Sequence, residues 1–143
     1  MTPGPEPLVL DTHVLLAFAT GAPGYFSDQR LEALAQAASV RGLFIPAIVL
    51  WELAMLESRQ RIRLLPDCQS WLESIVGEPG ITVAALTPQI VTDSTRLPGA
   101  FHADPADRLI VATARALGGM LLTRDQAILA YAGQGHVMAL PPK

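Results

Sequence analysis

The chain has 143 residues, half of them hydrophobic and 16% charged, with a formal net charge of −3. That length and composition suit one domain (1–143) packed around one continuous core. They exclude a surface that attracts nucleic acid as a whole, so any RNA or DNA binding needs a local basic patch together with a metal ion. Cys68 is the only cysteine, which excludes an intrachain disulfide and a thiolate metal cluster and fits a reducing compartment. Of the ten basic residues only Lys143 is a lysine, so chemistries that need an internal lysine have no place here. The apolar runs fall well short of the roughly 18 residues of a membrane span. The start, MTPGPEPLVLD, has neither a basic region nor a long apolar region. The expectation is a cytoplasmic protein whose residues 1–6 form a flexible arm.

In chain order, residues 8–10 read as a short buried strand and 12–19 as a helix. SDQRLEALAQAASVR (27–41) carries Leu31, Leu34, Ala35 and Ala38 at helical spacing, with Ser27 as N-cap. LFI (43–45) is a strand, and Pro46 starts a helix running to about 58. A helix follows over 67–76 with Asp67 as cap, then a strand over 81–86. Thr87-Pro88 opens a short helix to about 95. Residues 105–118 are helical and stop at Gly118-Gly119. MLL (120–122) is a strand, 125–131 a short helix, and 136–140 the last strand. Five short strands alternating with helices predict an α/β fold with a parallel sheet covered on both faces. In such folds ligands bind where strand C-termini and helix N-termini share one edge.

Four acids fall on or near that edge. Asp11 ends the run LVL and Asp125 follows MLLT by one residue. Either is also a plausible helix cap. Glu52 is the lone polar residue in PAIVLWELAML, where an unpaired buried carboxylate is costly. It lies about two turns into its helix, and its side chain leans back toward the edge. In DPAD, Asp104 before Pro105 fits an N-cap. That leaves Asp107 at the third helical position, where an acid favours the helix dipole but no second cap is needed. Packed together, such carboxylates repel one another, and bound cations relieve the repulsion. His13 and His102 flank these segments as core or loop histidines. Thr12 and Thr123 read either as donors to a water or phosphate or as caps. Arg59, Arg61 and Arg63 read as a solvated face, with phosphate contact as the alternative.

LVLDTHVLLAF, IVLWELAML, HADPADRLIVATARALGGMLLTRD and the final short strand together resemble the PIN-domain family, and within it the VapC-like toxin ribonucleases. The resemblance spans nearly the whole chain in motif order and spacing. It implies a three-layer α/β/α fold around a five-stranded parallel sheet, and RNA cleavage dependent on Mg²⁺ or Mn²⁺. It implies a metal site at Asp11, Glu52, Asp107 and Asp125, with Thr12, Thr123, Asp104 and His102 in support. It further implies a cognate antitoxin and a homodimer. Two positions depart from the pattern: Leu56 stands where relatives often carry a lysine, and Ala106 where a phenylalanine is frequent. A PIN-like scaffold that only binds RNA or protein is the alternative, and the four filled acid positions argue against it. An aspartyl-phosphate transfer domain is disfavoured, because no D-x-D follows the first strand and no internal lysine is present.

Overall fold

In the computed structural model, which describes residues 6–143, five strands form one all-parallel sheet in the order β3-β2-β1-β4-β5. The elements run β1 (Leu8–Leu10), α1 (Thr12–Thr20), α2 (Asp28–Ser39), β2 (Leu43–Pro46), α3 (Ala47–Ser58), α4 (Cys68–Val76), β3 (Ile81–Ala84), α5 (Pro88–Thr95), α6 (Pro105–Leu117), β4 (Met120–Leu122), α7 (Gln126–Gly133) and β5 (Met138–Leu140). The expected arm falls largely on residues 1–5, outside the described residues. Among the described residues no helix is long and apolar enough to cross a membrane.

The three inner strands are apolar on both faces because helices lie on both. Val9, Leu10, Leu43, Ile45, Leu121 and Leu122 are all fully buried. The chain winds outward from β1 through β2 to β3, then crosses to β4 and β5 on the other side. With right-handed crossovers, that change of direction puts helices on both faces and opens a crevice beyond the C-terminal ends of β1 and β4. The two strands are registered Leu8 to Met120 through Leu10 to Leu122, so Asp11 and Thr123 leave the sheet side by side.

Among the boundaries that differ from the sequence expectation, three have a plain local cause. Helix α2 ends at Ser39 because Arg41 takes a left-handed φ of 57° and Gly42 N–H turns back to Ala37 O. Strand β3 ends at Ala84, where its partner Pro46 hands over to α3 and offers no further ladder. Strand β5 starts at 138, because the His136 ring packs on Tyr131 and its carbonyl accepts from Arg115 Nη1. The Gly118-Gly119 stop is as read. Gly118 caps α6 at φ 60°, and a Cβ on Gly119 would meet Pro7 O at 2.9 Å.

Helix α3 carries an apolar surplus. Only Val49 and Leu53 are fully buried, and Trp51 is 56% exposed. Its Ile48, Trp51 and Met55 line a groove of about 450 Å³ with Arg59, Pro105 and Ala106. Arg59, Arg61 and Arg63 themselves are exposed.

Candidate active site

The crevice at the C-terminal ends of β1 and β4 is a cleft of about 380 Å³ lined by Asp11, Thr12, His13, Glu52, Asp104, Asp107, Arg124 and Asp125. The four acids singled out from sequence thus line one cavity, and Asp104 joins them. Each arrives by a different local rule. Asp11 is the first residue beyond β1 and the N-cap of α1. Asp125 caps α7, accepting from Ile128 N–H at 3.0 Å. Asp104 caps α6, and the N–H it accepts is that of Asp107, at 3.0 Å. The cap therefore positions the backbone of the next acid, while the Asp107 side chain remains free to face the cleft. Glu52 projects from α3, and α3 packs against both α1 and α6.

The two threonines expected to support the site each bond to one of its acids. Thr123 Oγ1 donates to Asp11 Oδ2 at 2.5 Å, and Thr12 Oγ1 donates to Glu52 Oε1 at 2.5 Å. Asp11 Oδ1 takes the Thr12 N–H at 2.7 Å. Thr123 Oγ1 also accepts from Asp125 N–H at 3.0 Å, which ties the β4 exit to both acids. Asp11, Thr12 and Thr123 are all buried. Burial pushes the Asp11 carboxyl up, and the bonds from Thr123 and Thr12 pull against that. Burial likewise raises Glu52, opposed by Thr12.

Asp107 has no comparable set of donors. Burial, then the charges of Asp104, Asp11, Asp125 and Glu52, push its carboxyl up to about 7. His102 is one polar neighbour, its Nε2 lying 3.4 Å from Asp107 Oδ2. His102 Nδ1 accepts from Asp104 N–H at 3.3 Å, which leaves the imidazole proton on Nε2, facing Asp107. His102 is thus a loop histidine turned toward the acids. The donor atoms of His102, Asp107 and Asp125 lie within 4.8 Å of one another. Oxygen donors at this density, with one carboxylate held partly protonated by its neighbours, suit a hard divalent cation.

Two arginines escaped the sequence reading. Arg108 donates to the carbonyls of Ser94, Phe101 and His102, clamping the segment that presents His102. Arg124 lies between Thr123 and Asp125 at the exit of β4 and lines the cleft. Its place between two site residues was the available signal.

This fold is that of PIN domains. The model of the PIN domain matches residues 8–134, and the chain belongs to that family. Over 126 residues it is 32% identical to Ribonuclease VapC22 of Mycobacterium tuberculosis, covering 87% of this chain and 91% of that protein. Its fold is similar to that of VapBC2 from Rickettsia felis bound to a promoter DNA fragment (TM-score 0.67, 17% identity, 95% of this chain and 98% of the other). A toxin-antitoxin complex from Klebsiella pneumoniae is similar as well (TM-score 0.60, 16% identity, 95% and 98%).

Proposed function

We propose that this protein is an endoribonuclease dependent on Mg²⁺ or Mn²⁺, acting in the cytoplasm as the toxin of a toxin–antitoxin pair. The observation that carries the reading is the convergence of five carboxylates on one cleft, with Asp107 raised to about 7 by the other four and by burial. The relationship to a VapC ribonuclease supports RNA as the substrate. In this reading Asp11 and Asp107 would hold the main metal, Glu52 would bridge or shape the site, and Asp125 would bind a second ion or orient the water shell of the first. Bound Mg²⁺ or Mn²⁺ supplies Lewis acidity and lowers the pKa of a water, which suits direct hydrolysis of a phosphodiester. Thr123 and Thr12 fix the carboxylates of Asp11 and Glu52, and the Asp104 cap and His102 orient Asp107.

The groove along α3 supports the partner assignment. It shares Glu52 and Asp104 with the acid cleft. An amphipathic helix of an antitoxin laid along Ile48, Trp51 and Met55 would reach the acids at its end. An arginine there would pair with the carboxylates and exclude the metal. Association as a homodimer completes the proposal.

The test is cleavage of RNA by the purified protein. Mg²⁺ or Mn²⁺ should support cleavage that leaves 5′-phosphate and 3′-hydroxyl ends, and EDTA should stop it. Cyclic 2′,3′-phosphate ends, or full activity in EDTA, would overturn the metal mechanism. Co-expression with a small DNA-binding protein encoded beside it should yield a complex in which cleavage is suppressed. A harmless monomer that captures no such protein would overturn the toxin assignment.

A further inference from the structure

We propose that Arg124, held over the ring of Tyr25, is the phosphate-gripping group of this cleft and positions an RNA backbone phosphate beside the acids. The proposal rests on the ribonuclease reading and adds to it the means by which an acidic cleft retains an anionic chain.

Among the described residues Arg124 is the only arginine or lysine lining the cleft, where it faces five carboxylates. The default for a guanidinium in such surroundings is a forked pair with a carboxylate. Yet the ion pairs of the described residues are His102 with Asp107 and Arg115 with Asp93, and neither includes Arg124. Its side chain also donates no hydrogen bond among the described residues. Instead its Cζ lies 3.8 Å from the Tyr25 ring centroid. Stacking satisfies the flat face of the guanidinium and leaves the N–H edges free. The cation is thus kept beside the acids without collapsing onto them. That leaves the carboxylates open to a metal and a rigid fork of donors open to phosphate oxygens.

Tyr25 is built for this support. It sits between α1 and α2, with its ring centroid 5.0 Å from that of Phe26, which in turn meets Phe18 edge-on at 6.3 Å. Among the described residues its buried hydroxyl has no hydrogen-bond partner, so that oxygen does not account for the residue's placement. The ring face does.

The experiment measures binding of a labelled single-stranded RNA to full-length Asp11→Asn protein from 50 to 200 mM salt, with and without a change at Arg124. Arg124→Gln should weaken binding roughly tenfold across RNA sequences and flatten the slope of log affinity against log salt by about 0.7, the value for one phosphate contact on a single strand. In the otherwise unaltered enzyme the same change should act mainly on KM. Tyr25→Leu should reproduce much of the binding loss, and Tyr25→Phe should restore it. Unchanged slope and affinity in Arg124→Gln, with RNA still bound, overturns this proposal alone. Absence of RNA binding by Asp11→Asn, together with absence of cleavage by the unaltered protein, overturns the ribonuclease reading beneath it.

Discussion

The two halves of the acid cleft are built in opposite ways. On the β1 side Asp11 is buried and Glu52 half-buried, and each has a threonine hydroxyl donating to it at 2.5 Å. On the α6 side Asp107 faces four other carboxylates with only a 3.4 Å contact from His102. The first half is satisfied by the fold itself. The second holds repulsion that the fold leaves uncompensated. Buried polar groups are normally paired, so the contrast marks where a cation is expected to complete the structure. In the proposed function the hydrogen-bonded half would serve as scaffold, and the strained half would take the cation.

The largest effect expected separates activity from stability. Asp11→Asn and Asp107→Asn should each reduce RNA cleavage by roughly two orders of magnitude or more. Their metal-free stabilities should part company. Asp107→Asn removes a charge from a repelling group and should raise the thermal midpoint in EDTA. Asp11→Asn leaves Thr123 without its anionic acceptor and should not. Equal shifts in the two variants would erase the distinction between the halves.

Thr123→Val attacks the scaffold. It strips a donor from a buried carboxylate and an acceptor from Asp125 N–H. The expected cost is about 1–3 kcal/mol, several degrees in the thermal midpoint, with cleavage lost in parallel. A variant as stable as the parent would show that Asp11 is not held in this way.

The strained half should reveal itself through pH. Asp107 ionises at about 7 in the folded chain against an ordinary 3.8, so the folded form holds the extra proton between those values. Stability of the metal-free protein should therefore fall as pH rises from about 4 through about 7. The raised carboxyls of Asp11 and Glu52 act in the same direction. Asp67 acts oppositely, since its hydrogen bonds to Ser70 lower its carboxyl, but only below the ordinary carboxylate range. Melting curves in EDTA between pH 5 and pH 8 check this, and Asp107→Asn should flatten the profile. A profile that rises with pH would contradict the assignment.

The smallest effect is expected from Thr12→Val. Its acceptor, Glu52, is only half-buried, so water can replace the lost hydroxyl, and the cost should stay near or below about 1 kcal/mol. Differential scanning fluorimetry of the two threonine variants side by side ranks them.

Much of the site was legible because its signals are local. Asp11 and Asp125 stand directly after apolar strand runs, Glu52 interrupts an apolar helix, and the Asp104-Pro105 cap explains one acid of DPAD while leaving the other unexplained. What escaped is long-range. Thr123 meets Asp11 across 112 positions of sequence, and Thr12 meets Glu52 across 40. No periodicity encodes either meeting: the first arises once β1 and β4 are registered side by side, the second once α1 packs against α3. The stacking of Arg124 on Tyr25 was hidden for the same reason. The apolar character of α3 was visible, but its division between core and open groove depends on what α1 and α6 cover.

The most direct test of the contrast is calorimetric titration of Mn²⁺ into the unaltered protein and Asp107→Asn at pH 7, in two buffers of different ionisation enthalpy. The unaltered protein should bind the ion and release protons, because burial and its acidic neighbours raise the Asp107 carboxyl and it must ionise to serve as a ligand. Asp107→Asn should bind far more weakly and release less. Equal affinity and equal proton release in the two proteins would contradict the account.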